Sequence, residues 1–212
     1  MAVISITMGL LGLLMGCFLN VVIYRQSPIT RRYPVLVLLT GALFFMTATV
    51  SPNLETNPAK LLFNLIFVVV LIALSLIDLE SFRLPDVLTL PLLVLGLIGA
   101  FLLPGNPSGW ESVLCALGAG GVFWTIARLY PQGMGLGDVK LVAALGACLG
   151  FPSIFLAVFM GSFVGAFLGI VLLLTGQKRF RQQIPFGPYL TFGAIVALFW
   201  GERLVDWYWT FV

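Results

Sequence analysis

The run Leu61-Leu-Phe-Asn-Leu-Ile-Phe-Val-Val-Val-Leu-Ile-Ala-Leu-Ser-Leu-Ile77 ends on Asp78, and the chain continues Leu-Glu-Ser-Phe-Arg-Leu-Pro-Asp86. An apolar stretch of this length suits a helix of roughly 20 residues that crosses a bilayer. Outward from it, similar runs recur at about 2–24, 34–51, 60–79, 86–104, 110–129, 138–150, 152–175 and 187–201. The predicted fold is all-α, a polytopic transmembrane bundle of about eight helices. The sixth is short for a full crossing.

Composition points the same way. Of 212 residues, 60% are hydrophobic and only 9% charged, against about 25% charged in soluble domains. Such a chain has too little polar surface to face water, and its expected surroundings are the lipid bilayer. The polar stretches are too short to bury a core of their own, so 1–212 reads as a single integral-membrane domain without a separate soluble part. The net charge of +3 says little, and no nucleic-acid partner is expected. The sequence is silent on oligomeric state.

The placement of charge is more informative. Arg25, Arg31, Arg32, Arg83, Arg128, Lys140, Lys178, Arg179 and Arg181 fall on one side of the alternating runs, Lys60 and Arg203 on the other. The richer side is expected to be cytoplasmic, with both termini outside. The first run is followed rather than preceded by its positive charge, the reverse of a cleavable signal, and reads as a retained helix. Loops 51–58 and 104–109 are ordinary turn chemistry. The opposite loops carry the motifs.

The chain has no His, and Cys17, Cys115 and Cys148 form no Cys-x-x-Cys pair. A thiolate or imidazole metal site is not expected, nor any cofactor. The cysteines read as small buried apolar residues. Gly161, Gly165 and Gly169 form two overlapping Gly-xxx-Gly steps, which read as close packing inside the bundle.

Eight residues are acidic. Glu55, Glu111, Glu202 and Asp206 lie in or near the outer loops, where solvation accounts for them. Asp78, Glu80, Asp86 and Asp138 cluster on the other side. A carboxylate at the edge of a membrane helix is costly, and so a candidate for function. Asp78 closes a helix, where the macrodipole disfavours a negative charge; pairing with Arg83 is the plainer alternative. Asp86 follows Pro85 and opens the next run, the position of an N-cap. Asp138 also opens a run, but Gly133, Gly135 and Gly137 precede it in Gly-Met-Gly-Leu-Gly-Asp-Val-Lys140. Alternate glycines let another chain approach closely, and an extended substrate is the chain expected there. Lys140 reads as an interfacial cation that orients Asp138 or meets lipid phosphate.

Two aspartates a few ångströms apart would share one proton. One could then activate water while the other polarises a peptide carbonyl, without metal, His or Ser. Asp78 and Asp138 are the expected catalytic pair, with Gly135, Gly137, Lys140 and Asp86 in support. The alternative is a transporter or channel using these carboxylates as an ion or proton site.

At these residues the chain resembles the type IV prepilin peptidases, intramembrane aspartyl enzymes of the Gly-x-Gly-Asp type. The likeness is carried by Gly16-Cys-Phe-Leu-Asn-Val-Val-Ile-Tyr-Arg25, by Ile77-Asp-Leu-Glu80 with Arg83-Leu-Pro-Asp-Val-Leu-Thr-Leu-Pro91, by Gly133 to Ala147, and by Ile184-Pro-Phe-Gly-Pro-Tyr-Leu190. The resemblance implies removal of basic leaders from prepilins or pseudopilins at the cytoplasmic face of a bacterial inner membrane. By motif position it places the catalytic pair on Asp78 and Asp138, with Asp86 as competitor for the role of Asp78. It also implies two departures. The family's cytoplasmic insert with two Cys-x-x-Cys pairs is missing between Arg25 and Pro34, and Val37 stands where the family commonly has Glu. Both speak against zinc binding and N-methylation.

Overall fold

The computed structural model describes residues 2–26, 34–50, 57–130, 133–175 and 185–210. Among them are eight helices and no strand: α1 (Ala2–Gln26), α2 (Pro34–Val50), α3 (Pro58–Ser81), α4 (Asp86–Leu102), α5 (Gly109–Leu129), α6 (Leu136–Leu149), α7 (Ser153–Leu174) and α8 (Gly187–Trp209). Each coincides with an apolar run read from the sequence, and α8 continues past the expected residue 201. The basic residues Arg31, Arg32, Lys178, Arg179 and Arg181 lie outside the described residues.

The helix ends follow local chemistry. Asn57 Oδ1 accepts the Lys60 N–H at 3.2 Å ahead of α3, whose first residue is Pro58, where a missing N–H costs nothing. Ser108 Oγ accepts the Glu111 N–H at 3.3 Å and caps α5. Gly150, at φ +64°, closes α6, a conformation that favours glycine.

The chain divides into two compact units, Met1–Ala73 and Leu74–Val212. In the first, α1 lies against α2, and a Cβ on Gly12 would come within 2.6 Å of Phe44 Cβ. Phe44, Ala48, Leu61 and Leu65 form its buried cluster. Cys17 is exposed rather than buried.

In the second unit α6 is the central helix, with Leu141, Val142, Ala144 and Leu145 fully buried. It touches α4, α5, α7 and α8, and this explains how a 14-residue helix can be apolar nearly all round. Gly161 of α7 meets the backbone of Tyr189 in α8, where a Cβ would lie 2.7 Å from the carbonyl oxygen. The Gly-xxx-Gly step is thus used for packing within the unit. Glu111 is not merely solvated: its Oε1 accepts the Phe151 N–H at 2.9 Å and ties the start of α5 to the turn before α7.

Helices α3, α5 and α7 are long and apolar enough to cross a membrane. On α7, Phe155, Phe159 and Phe163 form an exposed stacked row, an apolar face that water does not cover favourably. The molecule is a multi-pass membrane protein.

Candidate active site

Asp78 lies in the last turn of α3, which runs on to Ser81. Beyond it Phe82 takes φ +53°, and its N–H donates to the Asp78 carbonyl at 2.9 Å. This left-handed residue turns the chain into the short link 83–85, and Leu84 becomes buried. Leu84 packs on Gly137, where a Cβ would come within 2.9 Å of Leu84 Cβ. The space beside that glycine, expected for an extended substrate, is filled by the protein's own α3–α4 link. The glycine is needed there because two backbones meet.

Asp78 is 5% exposed, and Arg83 is not its partner. The Gly187 N–H, at the start of α8, donates to Asp78 Oδ2 at 2.9 Å within the interior. The negative charge at the end of α3 is thereby met by the N-terminus of α8, whose dipole favours an anion. No role for Gly187 was read from the sequence, although the motif Pro185-Phe-Gly-Pro-Tyr-Leu190 had marked the segment. Glycine at 187 could have signalled a close contact; its partner lies 109 residues away and left no local trace.

Asp138 sits in the first turn of α6, half-buried. It is the third helical residue rather than the N-cap, which is Gly135. Its Oδ2 accepts the Gly135 N–H at 3.3 Å, the reach-back half of a capping box. The carboxyls of Asp78 and Asp138 are near enough for their charges to act on each other. Among the described residues, no hydrogen bond engages Oδ1 of either.

Asp86 does not cap α4. Pro85 holds the N-cap position without a side-chain bond, and Asp86 is the first helical residue. Both of its oxygens accept from Lys140 Nζ at 2.7 Å. Lys140 therefore joins α6 to α4 and does not grip Asp138. Glu80 Oε1 is buried without a hydrogen-bond partner among the described residues.

These acids lie at helix ends, not mid-helix. Residues 65–170, which hold both Asp78 and Asp138, match the model of the type IV leader peptidase family. The chain belongs to the type IV leader peptidase family. Among the relatives of this family member, a protein of Aeromonas hydrophila called prepilin leader peptidase/N-methyltransferase is 42% identical, over 87% of this chain and 64% of its own length. Proteins of the same name from Xanthomonas campestris pv. campestris and Legionella pneumophila are 37% and 35% identical, over 87% and 86% of this chain and 64% of theirs. The chain thus spans just under two thirds of the length of these relatives. No solved structure matches it.

Proposed function

We propose that this family member is an aspartyl endopeptidase that cuts the basic leader from prepilins or pseudopilins. The observation that carries the reading is that Asp78 and Asp138, close enough for their charges to act on each other, each have Oδ2 held by a glycine N–H and, among the described residues, Oδ1 without a hydrogen bond. A water between two such carboxyls loses a proton to the ionised one, while the protonated one donates to the scissile carbonyl. As the leaving nitrogen departs, it takes a proton from the same pair. Membership of the family and the relatives' shared name support the choice of substrate.

The proposed site faces the cytoplasm. Arg83, Arg128 and Lys140 lie at that end of the second unit and obey the positive-inside rule. A prepilin would enter the bilayer as an apolar helix under the same rule, which leaves its basic leader beside the aspartates. Val37, against which a Cβ on Gly16 would press at 2.7 Å, supplies no carboxylate for a second activity.

The test is co-expression with a prepilin in a strain lacking other such peptidases, read by mass spectrometry of the mature terminus. Cleavage without an added methyl group is expected. General acid–base groups contribute about 10²–10⁴-fold, so Asp78→Asn and Asp138→Asn should each lower turnover by at least about 10²-fold. Processing by either variant at the wild-type rate would reject the assignment.

A further inference from the structure

The two glycine N–H groups at the candidate site are not equivalent. Gly135 belongs to the same turn as Asp138, so its bond is local. Gly187 reaches Asp78 from another helix, and its bond fixes the start of α8 against a side chain of α3. Gly187 is itself buried, and a Cβ there would lie 2.7 Å from Asp78 Oδ2 and 3.0 Å from Cγ. Carbon and oxygen do not come that close without displacement.

The turn that presents Gly187 is held from several sides. The Phe186 carbonyl accepts the N–H groups of Tyr189 and Leu190, both at 3.1 Å. The Phe186 ring stacks with Phe123 of α5 at 6.5 Å between centroids. Tyr189 is pressed against Gly161, and the Ala157 carbonyl against Gly193. A side chain added at 187 therefore displaces the Asp78 carboxyl before it moves the turn.

We propose that Gly187 is a positioning residue for the peptidase reaction: its N–H and its lack of a Cβ together set the orientation of Asp78 that leaves Oδ1 open to the hydrolytic water. It acts through Asp78 and touches no reacting atom. The inference rests on the peptidase reading above.

The test uses the full chain in detergent with a pilin-like peptide, with rates expressed per folded molecule from size-exclusion and thermal melting. Misplacing a catalytic group by about 1 Å costs on the order of 10²-fold, so Gly187→Ala should lower kcat by about 10- to 100-fold while KM holds. A lower melting temperature with wild-type kcat per folded molecule would make Gly187 a packing residue only and overturn the inference. Should the variant not fold, amide exchange at Gly187 is compared between the wild-type chain and Asp78→Ala. A lost hydrogen bond to a charged group corresponds to at least about tenfold faster exchange; an unchanged rate overturns the inference. A wild-type chain that cuts nothing refutes the peptidase reading itself, a result distinct from an active wild type whose Gly187→Ala variant keeps its kcat.

Discussion

Lys140 holds both oxygens of Asp86 at 2.7 Å, whereas Asp78 takes its bond from the Gly187 backbone. Two acids eight positions apart thus receive opposite treatment. A carboxylate closed by an ammonium has its lone pairs occupied and its charge cancelled, and makes a poor base. One closed on a single oxygen by a neutral N–H keeps the other oxygen available. Asp86→Asn is accordingly expected to retain leader cleavage within about tenfold of wild type, against the loss of at least about 10²-fold expected for Asp78→Asn. The Asp86–Lys140 pair is also substantially exposed, at 54% and 40%, and such pairs contribute about 0–1 kcal/mol. The melting temperature of Asp86→Asn should therefore stay close to that of the wild-type chain. Purified variants compared for initial rate and melting would check both statements. From sequence, the Pro-Asp step after a turn suggested a cap, because caps are local and readable. The ammonium that takes the carboxylate lies 54 residues away, and no local pattern announces it.

At the scale of elements, the α3–α4 link is the device that relates the two aspartates. Phe82 accepts a left-handed backbone at φ +53°, a conformation that costs a bulky residue about 1–2 kcal/mol. The return is a chain reversal that carries Leu84 down onto Gly137, one residue before Asp138. Glycine at 137 sets how near α6 can come to that link. Gly137→Ala brings a Cβ to 2.9 Å from Leu84 Cβ and 3.5 Å from the Leu84 backbone, and overpacking of this kind costs about 1–3 kcal/mol. The variant should melt lower and cut more slowly. Leu84→Gly in the same chain removes the opposing Cβ, and the pair should show a coupling that recovers part of the rate, as contacting residues do. Additive losses in the double-mutant cycle would show that the contact does not set the geometry. The helices themselves were legible, since apolar runs broken by Pro, Gly and Asn mark segments and their ends. The alternate glycines were legible as a place of close approach. What approached them was not, because Leu84 is an ordinary apolar residue whose neighbour is fixed by the return path of the chain.

At the scale of the whole molecule, composition alone excluded a water-soluble globule, and the exposed Phe row of α7 agrees with it. The sidedness is an inference from charge, and the second unit offers two positions that test it. Leu136 is exposed beside Asp138, at the proposed cytoplasmic end. Asn106 lies in the turn between α4 and α5, at the other end of the same helices. The three native cysteines, Cys17, Cys115 and Cys148, are unpaired and would first be replaced by Ala or Ser. A single Asn106→Cys should then react with a membrane-impermeant maleimide on spheroplasts, and a single Leu136→Cys only after the membrane is opened. Carrying Arg83, Arg128 and Lys140 across the bilayer is opposed by the same bias that orients membrane helices generally. Labelling of Leu136→Cys from outside would place the aspartates on the far side from a prepilin's basic leader. The peptide bond and the carboxyls would then be separated by the full thickness of the hydrocarbon, about 30 Å, and no local rearrangement of α6 could bring them together.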